Sequence, residues 1–279
     1  MPLEEERRLA HVHDKVFLVT GGAAGVGAGI VRALLMDNAR CVAFLDVAER
    51  EGTALESELA TKFGALKAKF IKCDLSDDEQ LTAAFQQVYD KYRRLDVIIN
   101  NAGVLSADDT HYKRIIDVNV TATISSSLKA FNMMSAEQGG SGGTIVNISS
   151  LLALKRTPPL PVYTSTKLAV LQFSNSLGAE KYYSKSKVRV LTVCLGPTDT
   201  AILQKPVISQ FDKDYTQCLT SRADIRQRVD SAAKGIIHVI KWGGSSSTWM
   251  VADDKPPVDI SDNISKGFDA MSSGINLDD

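Results

Sequence analysis

The chain has 279 residues, of which 44% are hydrophobic and 23% are charged, and its formal net charge is −1. These values are typical of a globular protein with one large α/β domain or two small ones. The balanced charge argues against a nucleic-acid partner, and no apolar run approaches the roughly 20 residues that a transmembrane helix needs.

The first residues are charged and do not resemble a secretory signal, so a cytoplasmic protein is expected. The cysteines form no CxxC pair and are expected to be reduced thiols, mostly buried; they are Cys41, Cys73, Cys194 and Cys218. His11 and His13 have no further ligand nearby in the sequence. We therefore predict no metal site.

The first predicted elements follow a polar N-terminal arm over residues 1–14. Residues 15–20 form an apolar run that predicts a strand, and residues 28–36 have the spacing of a helix. Between them stand Gly21, Gly25 and Gly27. A glycine turn between a strand and a helix is the setting in which a dinucleotide pyrophosphate binds, because glycines permit close approach and the helix N-terminus offers free N–H groups.

A second predicted strand, residues 40–46, ends at Asp46. An acid at this position accepts hydrogen bonds from the adenosine ribose and repels a 2′-phosphate. The sequence thus favours NAD over NADP, although Asp46 could simply be a solvated residue at a strand end.

Strands and helices then continue to alternate. The predicted helices cover residues 49–63, 77–92, 111–134, 162–183 and 229–242, and the predicted strands cover 67–73, 95–100, 143–148, 187–195 and 248–252. This alternation predicts a parallel sheet covered on both faces. Because no shift in amino-acid composition marks a second domain, we predict one doubly wound α/β domain over residues 15–253.

Two segments do not follow this alternation of strands and helices. Residues 197–225 mix polar, aromatic and breaker residues, which is typical of a substrate lid. Phe211, Tyr215 and Leu219 within it are four apart and could face a lipid-like substrate or belong to the core. Residues 254–279 are polar and are predicted to be a surface tail or an extension that contacts a partner.

Residues 150–167 contain the strongest catalytic pattern. Tyr163 and Lys167 stand one helical turn apart, after a proline-rich loop, and Ser150 follows an apolar strand. A cation near a phenol favours the phenolate, so Lys167 could make Tyr163 a general base while Ser150 holds the substrate oxygen. Tyr183 and Lys187 repeat the spacing without that loop and are interpreted as solvated.

With these motifs in order, the sequence resembles the short-chain dehydrogenases/reductases over about residues 15–252. The resemblance rests on Thr20-Gly21-x-x-x-Gly25-x-Gly27, on Asn100-Asn101-Ala102-Gly103, and on Ser150 with Tyr163-x-x-x-Lys167. Within that family the sequence is most similar to the NAD-dependent prostaglandin dehydrogenases and the insect alcohol dehydrogenases. This likeness rests on Asp46 and on the Thr-Ala-Ile-Leu run at 200–203. The family implies a single Rossmann-like domain with a seven-stranded parallel sheet, and usually a homodimer or homotetramer.

The resemblance also implies roles for individual residues. Asn119 would join Ser150, Tyr163 and Lys167 as a catalytic residue by holding a water that links Lys167 to solvent. Lys167 would also bind the nicotinamide ribose. The implied cofactor-binding residues, which include Tyr163 and Lys167, are otherwise Gly21, Ala24, Gly25, Val26, Gly27, Asp46, Val47, Cys73, Asp74, Leu75, Asn101, Ala102, Gly103, Gly196, Thr198 and Thr200.

Two features depart from the family pattern. Leu195-Gly196 stands where Pro-Gly is usual, so the backbone that contacts the nicotinamide could follow a shifted path. Lys155 and Arg156 are basic where apolar residues are expected, and they either face solvent or attract an acidic group of the substrate.

The activity implied is hydride transfer between a lipophilic alcohol and NAD, giving a ketone or aldehyde. Prostaglandin-like, retinoid-like and isoprenoid-like alcohols, steroids and short secondary alcohols all remain open. The alternative is a non-catalytic binding or storage protein on the same fold.

Overall fold

The computed structural model describes residues 11–105, 111–204 and 226–274. Its centre is a sheet in the order β3-β2-β1-β4-β5-β6-β7-β8. The strands are β1 (Val16–Thr20), β2 (Cys41–Asp46), β3 (Ala68–Lys72), β4 (Val97–Asn100), β5 (Gly143–Ser150), β6 (Val188–Leu195), β7 (Thr248–Val251) and β8 (Val258–Asp259). The predicted doubly wound fold with seven parallel strands is confirmed, and β8 is added as a short antiparallel edge strand.

The helices follow the strands in the predicted alternation. They are α1 (Gly25–Met36), α2 (Glu49–Phe63), α3 (Asp78–Tyr92), α4 (Tyr112–Ile116), α5 (Ala122–Met134), α6 (Pro161–Leu177), α7 (Glu180–Ser186), α8 (Ala201–Gln204), α9 (Val229–Trp242) and α10 (Ser261–Ser272). A turn of π-helix, Asp117–Thr121, joins α4 to α5.

Both faces of the sheet are buried, which explains why the strands are continuously apolar. Successive side chains of a strand point to opposite faces. In β1, Phe17 and Val19 belong to the core layer with α1 and α9, whereas Leu18 belongs to the layer with α3 and α5. The sheet is therefore held between two hydrophobic layers, and its carboxyl edge is left to carry polar groups.

Two predicted helices are interrupted. The helix predicted over residues 111–134 contains the π-helical turn around Asn119. The helix predicted over 162–183 ends at Leu177, because Gly178 lies against the loop after α9. A Cβ on Gly178 would stand 2.7 Å from the Ser246 nitrogen, and Ser245 Oγ donates to the Gly178 carbonyl at 2.7 Å. Gly178 is the C-cap residue, a position that favours glycine, and these contacts reinforce the break there.

The polar segment after residue 253 contains β8 and α10, which the sequence did not predict. The predicted lid is described only over residues 197–204; Phe211, Tyr215, Leu219 and Cys218 lie outside the described residues. Within the described ranges, no helix combines the length and apolar character needed to cross a membrane.

Candidate active site

A cleft of about 420 Å³ opens at the carboxyl edge of the parallel sheet. Ligands of open α/β sheets bind at this edge. Every site residue that the family resemblance implies, except Asn119, lines this cleft. Asn119 lies behind the cleft wall. Those lining residues are Gly21, Ala24, Gly25, Val26, Gly27, Asp46, Val47, Cys73, Asp74, Leu75, Asn101, Ala102, Gly103, Ser150, Tyr163, Lys167, Gly196, Thr198 and Thr200.

The glycine turn between β1 and α1 is packed too tightly for side chains. A Cβ on Gly27 would stand 1.9 Å from the Gly21 carbonyl oxygen, and Gly25 has φ +52. Asn101 holds the turn, since its Nδ2 donates to the carbonyls of Thr20 at 3.0 Å and Gly21 at 3.1 Å. The contacts of Asn101 thus shape the loop.

The N-terminus of α1 faces the cleft without a side-chain cap. Ala24 is the N-cap residue, it makes no side-chain hydrogen bond, and the first turn carries no acid. Free N–H groups and the positive end of the helix dipole favour an anion here. The bare backbone and the open helix end therefore fit the pyrophosphate of a dinucleotide.

Asp46 lies at the end of β2, beside this turn. Its Oδ2 accepts from the Ala23 nitrogen at 3.0 Å, and its Oδ1 accepts from the Ala48 nitrogen at 3.0 Å. The two contacts fix the carboxylate at the cleft wall. A negative charge held there suits ribose hydroxyls and opposes a 2′-phosphate.

Ser150 and Tyr163 form the opposite end of the cleft. Ser150 ends β5, and its Oγ accepts from the Leu152 nitrogen at 3.2 Å. Pro161 is the first residue of α6, so Tyr163 stands in its first turn. Burial raises the pKa of Tyr163 above its ordinary value, and a hydrogen bond with Ser150 opposes that rise.

Lys167 stands one turn further along α6 and is buried. Its Nζ donates to the Ile148 carbonyl at 2.9 Å and lies 5.9 Å from the centroid of the Tyr163 ring. Burial lowers the pKa of Lys167 to about 8. Because burial raises the pKa of Tyr163, the lowering of that pKa by Lys167 stays a prediction for the enzyme with its cofactor bound.

Asn119 is fully buried behind Gly103, in the π-helical turn. Its side-chain oxygen accepts from the Val104 nitrogen at 2.8 Å, and its Nδ2 donates to the Val104 carbonyl at 3.0 Å and to Thr166 Oγ1 at 3.2 Å. π-helical turns concentrate at functional sites. Here the turn clamps Val104, in the loop after β4, onto α6, and Val104 directly follows the Gly103 that faces Lys167.

The segment after β6 is held by Gln227, which sequence reasoning missed. Gln227 is buried; its Nε2 donates to Thr198 Oγ1 at 3.1 Å and to the Val251 carbonyl at 3.1 Å. Thr200 reaches the glycine turn, where a Cβ on Gly25 would stand 3.2 Å from its Cγ2. No sequence pattern marks Gln227, because the residues it binds are more than 20 positions away.

Arg114 is a lining residue of the cleft that the sequence did not indicate. It extends from α4 to Asp74, with 3.3 Å between Arg114 Nη2 and Asp74 Oδ2. Hydrogen bonding by Ser76, together with Arg114, lowers the pKa of Asp74. The outer end of the cleft therefore carries a fixed ion pair.

The competing sequence signals lie elsewhere. Tyr183 lies in the middle of α7 and Lys187 caps its end, both outside the described wall of the cleft. Lys155 and Arg156 are exposed and also lie outside it. Nδ1 of His11 lies 3.3 Å from a guanidinium nitrogen of Arg189. In the described part of the chain, no group of three or more potential ligands could hold a metal ion.

Comparison with known proteins agrees with this geometry. The family model described as short chain dehydrogenase matches residues 15–209. The chain is 37% identical over 194 residues to the 15-hydroxyprostaglandin dehydrogenase [NAD(+)] of Macaca fascicularis, covering 70% of this chain and 72% of the relative. It is 35% identical over 151 residues to alcohol dehydrogenase 1 of Ceratitis capitata, covering 54% and 58%.

Solved structures share the fold at low identity. The 3-ketoacyl-(acyl-carrier-protein) reductase from Brucella melitensis, complexed with NADH, superposes with a TM-score of 0.73 at 20% identity, covering 86% of this chain and 98% of that one. Levodione reductase gives a TM-score of 0.74 at 17% identity, covering 86% and 96%. On its sequence, its fold and the residues of its cleft, the chain belongs to the short chain dehydrogenase family of oxidoreductases.

Proposed function

We propose that this protein is an NAD-dependent dehydrogenase that oxidises a lipophilic primary or secondary alcohol to the aldehyde or ketone. One observation carries the proposal: Ser150, Tyr163 and Lys167 converge at one end of a cleft whose other end is the glycine turn and Asp46. The named activities of the two relatives, a prostaglandin dehydrogenase and an alcohol dehydrogenase, support the same reaction class.

The residues of the cleft divide the binding of NAD between them. The glycine turn and the N-terminus of α1 would take the pyrophosphate, Asp46 the adenosine ribose, and Lys167 the nicotinamide ribose. Bound NAD supplies a hydride acceptor that carries positive charge in its oxidised form. A positive charge near Tyr163 favours its phenolate, which opposes the effect of burial on the pKa.

Proton transfer is then assigned to Tyr163. Its phenolate would take the hydroxyl proton of the alcohol as the carbinol hydrogen leaves as hydride. Ser150 would hold the substrate oxygen through a hydrogen bond and would also stabilise the phenolate. Asn119 would support proton exchange with solvent by fixing the loop at Val104 beside Lys167, as its contacts allow.

The described walls around Tyr163 favour an apolar substrate. Leu160 is buried and packs with Leu105, Leu152 and Tyr163, and Ile202 and Leu203 line the same cleft. Apolar surface of this kind binds hydrocarbon groups through removal from water. Prostaglandin-like, retinoid-like and isoprenoid-like alcohols fit this description equally, and a cytoplasmic homo-oligomer remains the expectation.

A panel of alcohols separates these classes. Purified protein is mixed with NAD and with short, terpenoid, retinoid and eicosanoid alcohols, and NADH formation is followed at 340 nm. We expect turnover to increase with the apolar character of the alcohol. If no alcohol gives NADH formation while NADH still binds, a binding or storage protein on the same fold would be favoured.

Alcohol oxidation is expected to accelerate with pH. Because the pKa of Tyr163 is raised, its phenolate fraction increases about tenfold per pH unit below that pKa. Lys167 has a pKa of about 8, and loss of its charge above that pH opposes phenolate formation. We expect kcat/KM to rise steeply up to about pH 8 and less steeply above it. A profile that is flat from pH 6 to 10, measured with a deuterated alcohol that makes hydride transfer limiting, would remove Tyr163 from this role.

The replacement Asp46→Ala is expected to shift cofactor preference toward NADP. Hydrogen bonds to a charged group contribute about 1.5–3 kcal/mol, so NAD binding should weaken by roughly 10- to 100-fold while NADP binding weakens less or improves. Asp90→Ala, at an exposed acid on α3 that pairs with Arg93, is the control. Equal losses for NAD and NADP would show that Asp46 acts only on the shape of the glycine turn.

A further inference from the structure

Two separate segments of the chain form the outer end of the cleft, beyond Asp46. Asp74 and Leu75 follow β3, which lies next to β2 in the sheet, and Val118 and Arg114 approach from the chain between β4 and α5. If the pyrophosphate lies at α1 and the ribose at Asp46, the next group of the dinucleotide in this direction is the adenine. These four residues would surround it.

Arg114 is fixed at that position by two partners. Its Nη2 lies 3.3 Å from Asp74 Oδ2, and its Nη1 donates to Ser76 Oγ at 3.3 Å. Ser76 Oγ in turn donates to Asp74 Oδ1 at 2.7 Å. The guanidinium is thus held at the cleft wall by side chains of the protein itself.

The ion pair between Arg114 and Asp74 is too exposed to contribute much to the stability of the fold. The side chain of Arg114 is 51% exposed and that of Asp74 is 34% exposed, and pairs at such exposure add little to stability. The guanidinium group, however, is planar and weakly hydrated, and it stacks on aromatic faces. Its position on the cleft wall allows it to cover the aromatic ring of a ligand bound there.

We infer that Arg114 is an adenine-binding residue that covers the base from α4, with Asp74 holding the guanidinium in place. The inference rests on the proposed use of a nicotinamide adenine dinucleotide. It assigns Arg114 an effect on the adenosine half of the cofactor and none on the nicotinamide half. A residue that merely held α4, which leads into the turn carrying Asn119, would affect both halves.

The test measures binding to the ligand-free enzyme by calorimetry, using NADH, ADP-ribose, reduced nicotinamide mononucleotide and NADPH. Arg114→Gln removes the charge and the planar cation, and Arg114→Lys keeps the charge without the plane. Arg32→Gln is the matched control, since Arg32 pairs with Glu58 on the surface through two hydrogen bonds and lies outside the described wall of the cleft.

Arg114→Gln is expected to weaken NADH and ADP-ribose binding about tenfold and to leave the mononucleotide within about twofold. Arg114→Lys should restore part of the loss, and Arg32→Gln should change nothing. Unchanged NADH binding, an equal loss with the mononucleotide, or a larger loss with NADPH than with NADH would each overturn the inference. Failure of the wild-type protein to bind NADH would overturn the proposed function as well.

Discussion

Replacing Tyr163 with phenylalanine is expected to abolish turnover while leaving NADH binding nearly intact. The hydroxyl is the group assigned to take the substrate proton, and general-base catalysis contributes about 10²- to 10⁴-fold to rate. The ring keeps its packing against Leu160, so the fold should not change. The measurement is kcat/KM for NADH formation at 340 nm, with NADH binding followed separately by fluorescence.

The chain contains its own control for this experiment. Tyr183 has a lysine four positions later, as Tyr163 has, but it lies in α7, outside the described cleft wall. Tyr183→Phe should therefore have wild-type activity. Substantial turnover in Tyr163→Phe would refute the proton-transfer role and the mechanism built on it.

Replacing Lys167 with methionine should lower oxidation by roughly 10- to 1000-fold at neutral pH, because an adjacent cation shifts a neighbouring pKa by about 1–3 units. The lost rate should return partly at high pH, where the phenolate forms without help. Methionine fills similar space, and burial already disfavours the charged lysine, as its pKa of about 8 indicates. Thermal stability should therefore be preserved or increased.

A pH–rate profile distinguishes the two roles assigned to Lys167. Loss of the cation near Tyr163 moves the rising limb to higher pH, whereas loss of a ribose contact raises the KM for NAD at every pH. Lys187→Met, at the same spacing after Tyr183, is the control and should leave the profile unchanged. A Lys167→Met enzyme with an unshifted profile would contradict the electrostatic role and leave only the ribose contact.

Local patterns were enough to predict most of the cleft. The glycine turn lies between a strand and a helix that are adjacent in sequence, and Asp46 and Ser150 each end a buried strand. In a parallel sheet the carboxyl ends of the strands meet at one edge, so these residues are brought together once the alternation of strands and helices is known. Tyr163 and Lys167, the residues proposed to be catalytic, share one helix turn, so their pairing can be predicted without long-range information.

The features that the sequence did not reveal depend on distant contacts. Arg114 meets Asp74 across 40 residues, and Gln227 meets Thr198 across 29. Gly178, at the end of α6, lies against Ser246, and Asn119 in the π-helical turn bonds to Val104 and Thr166. The effect of burial on the pKa of Tyr163 was not predicted for the same reason, because burial is a property of the whole fold.

The most direct test of the proposed reaction follows the hydrogen itself. The best alcohol of the panel, deuterated at its carbinol carbon, is incubated with the protein and NAD, and the NADH formed is analysed by mass spectrometry. We expect one deuterium in each NADH molecule, one carbonyl product for each NADH, and no product with Tyr163→Phe. NADH without deuterium, or equal product from Tyr163→Phe, would contradict direct hydride transfer at this site.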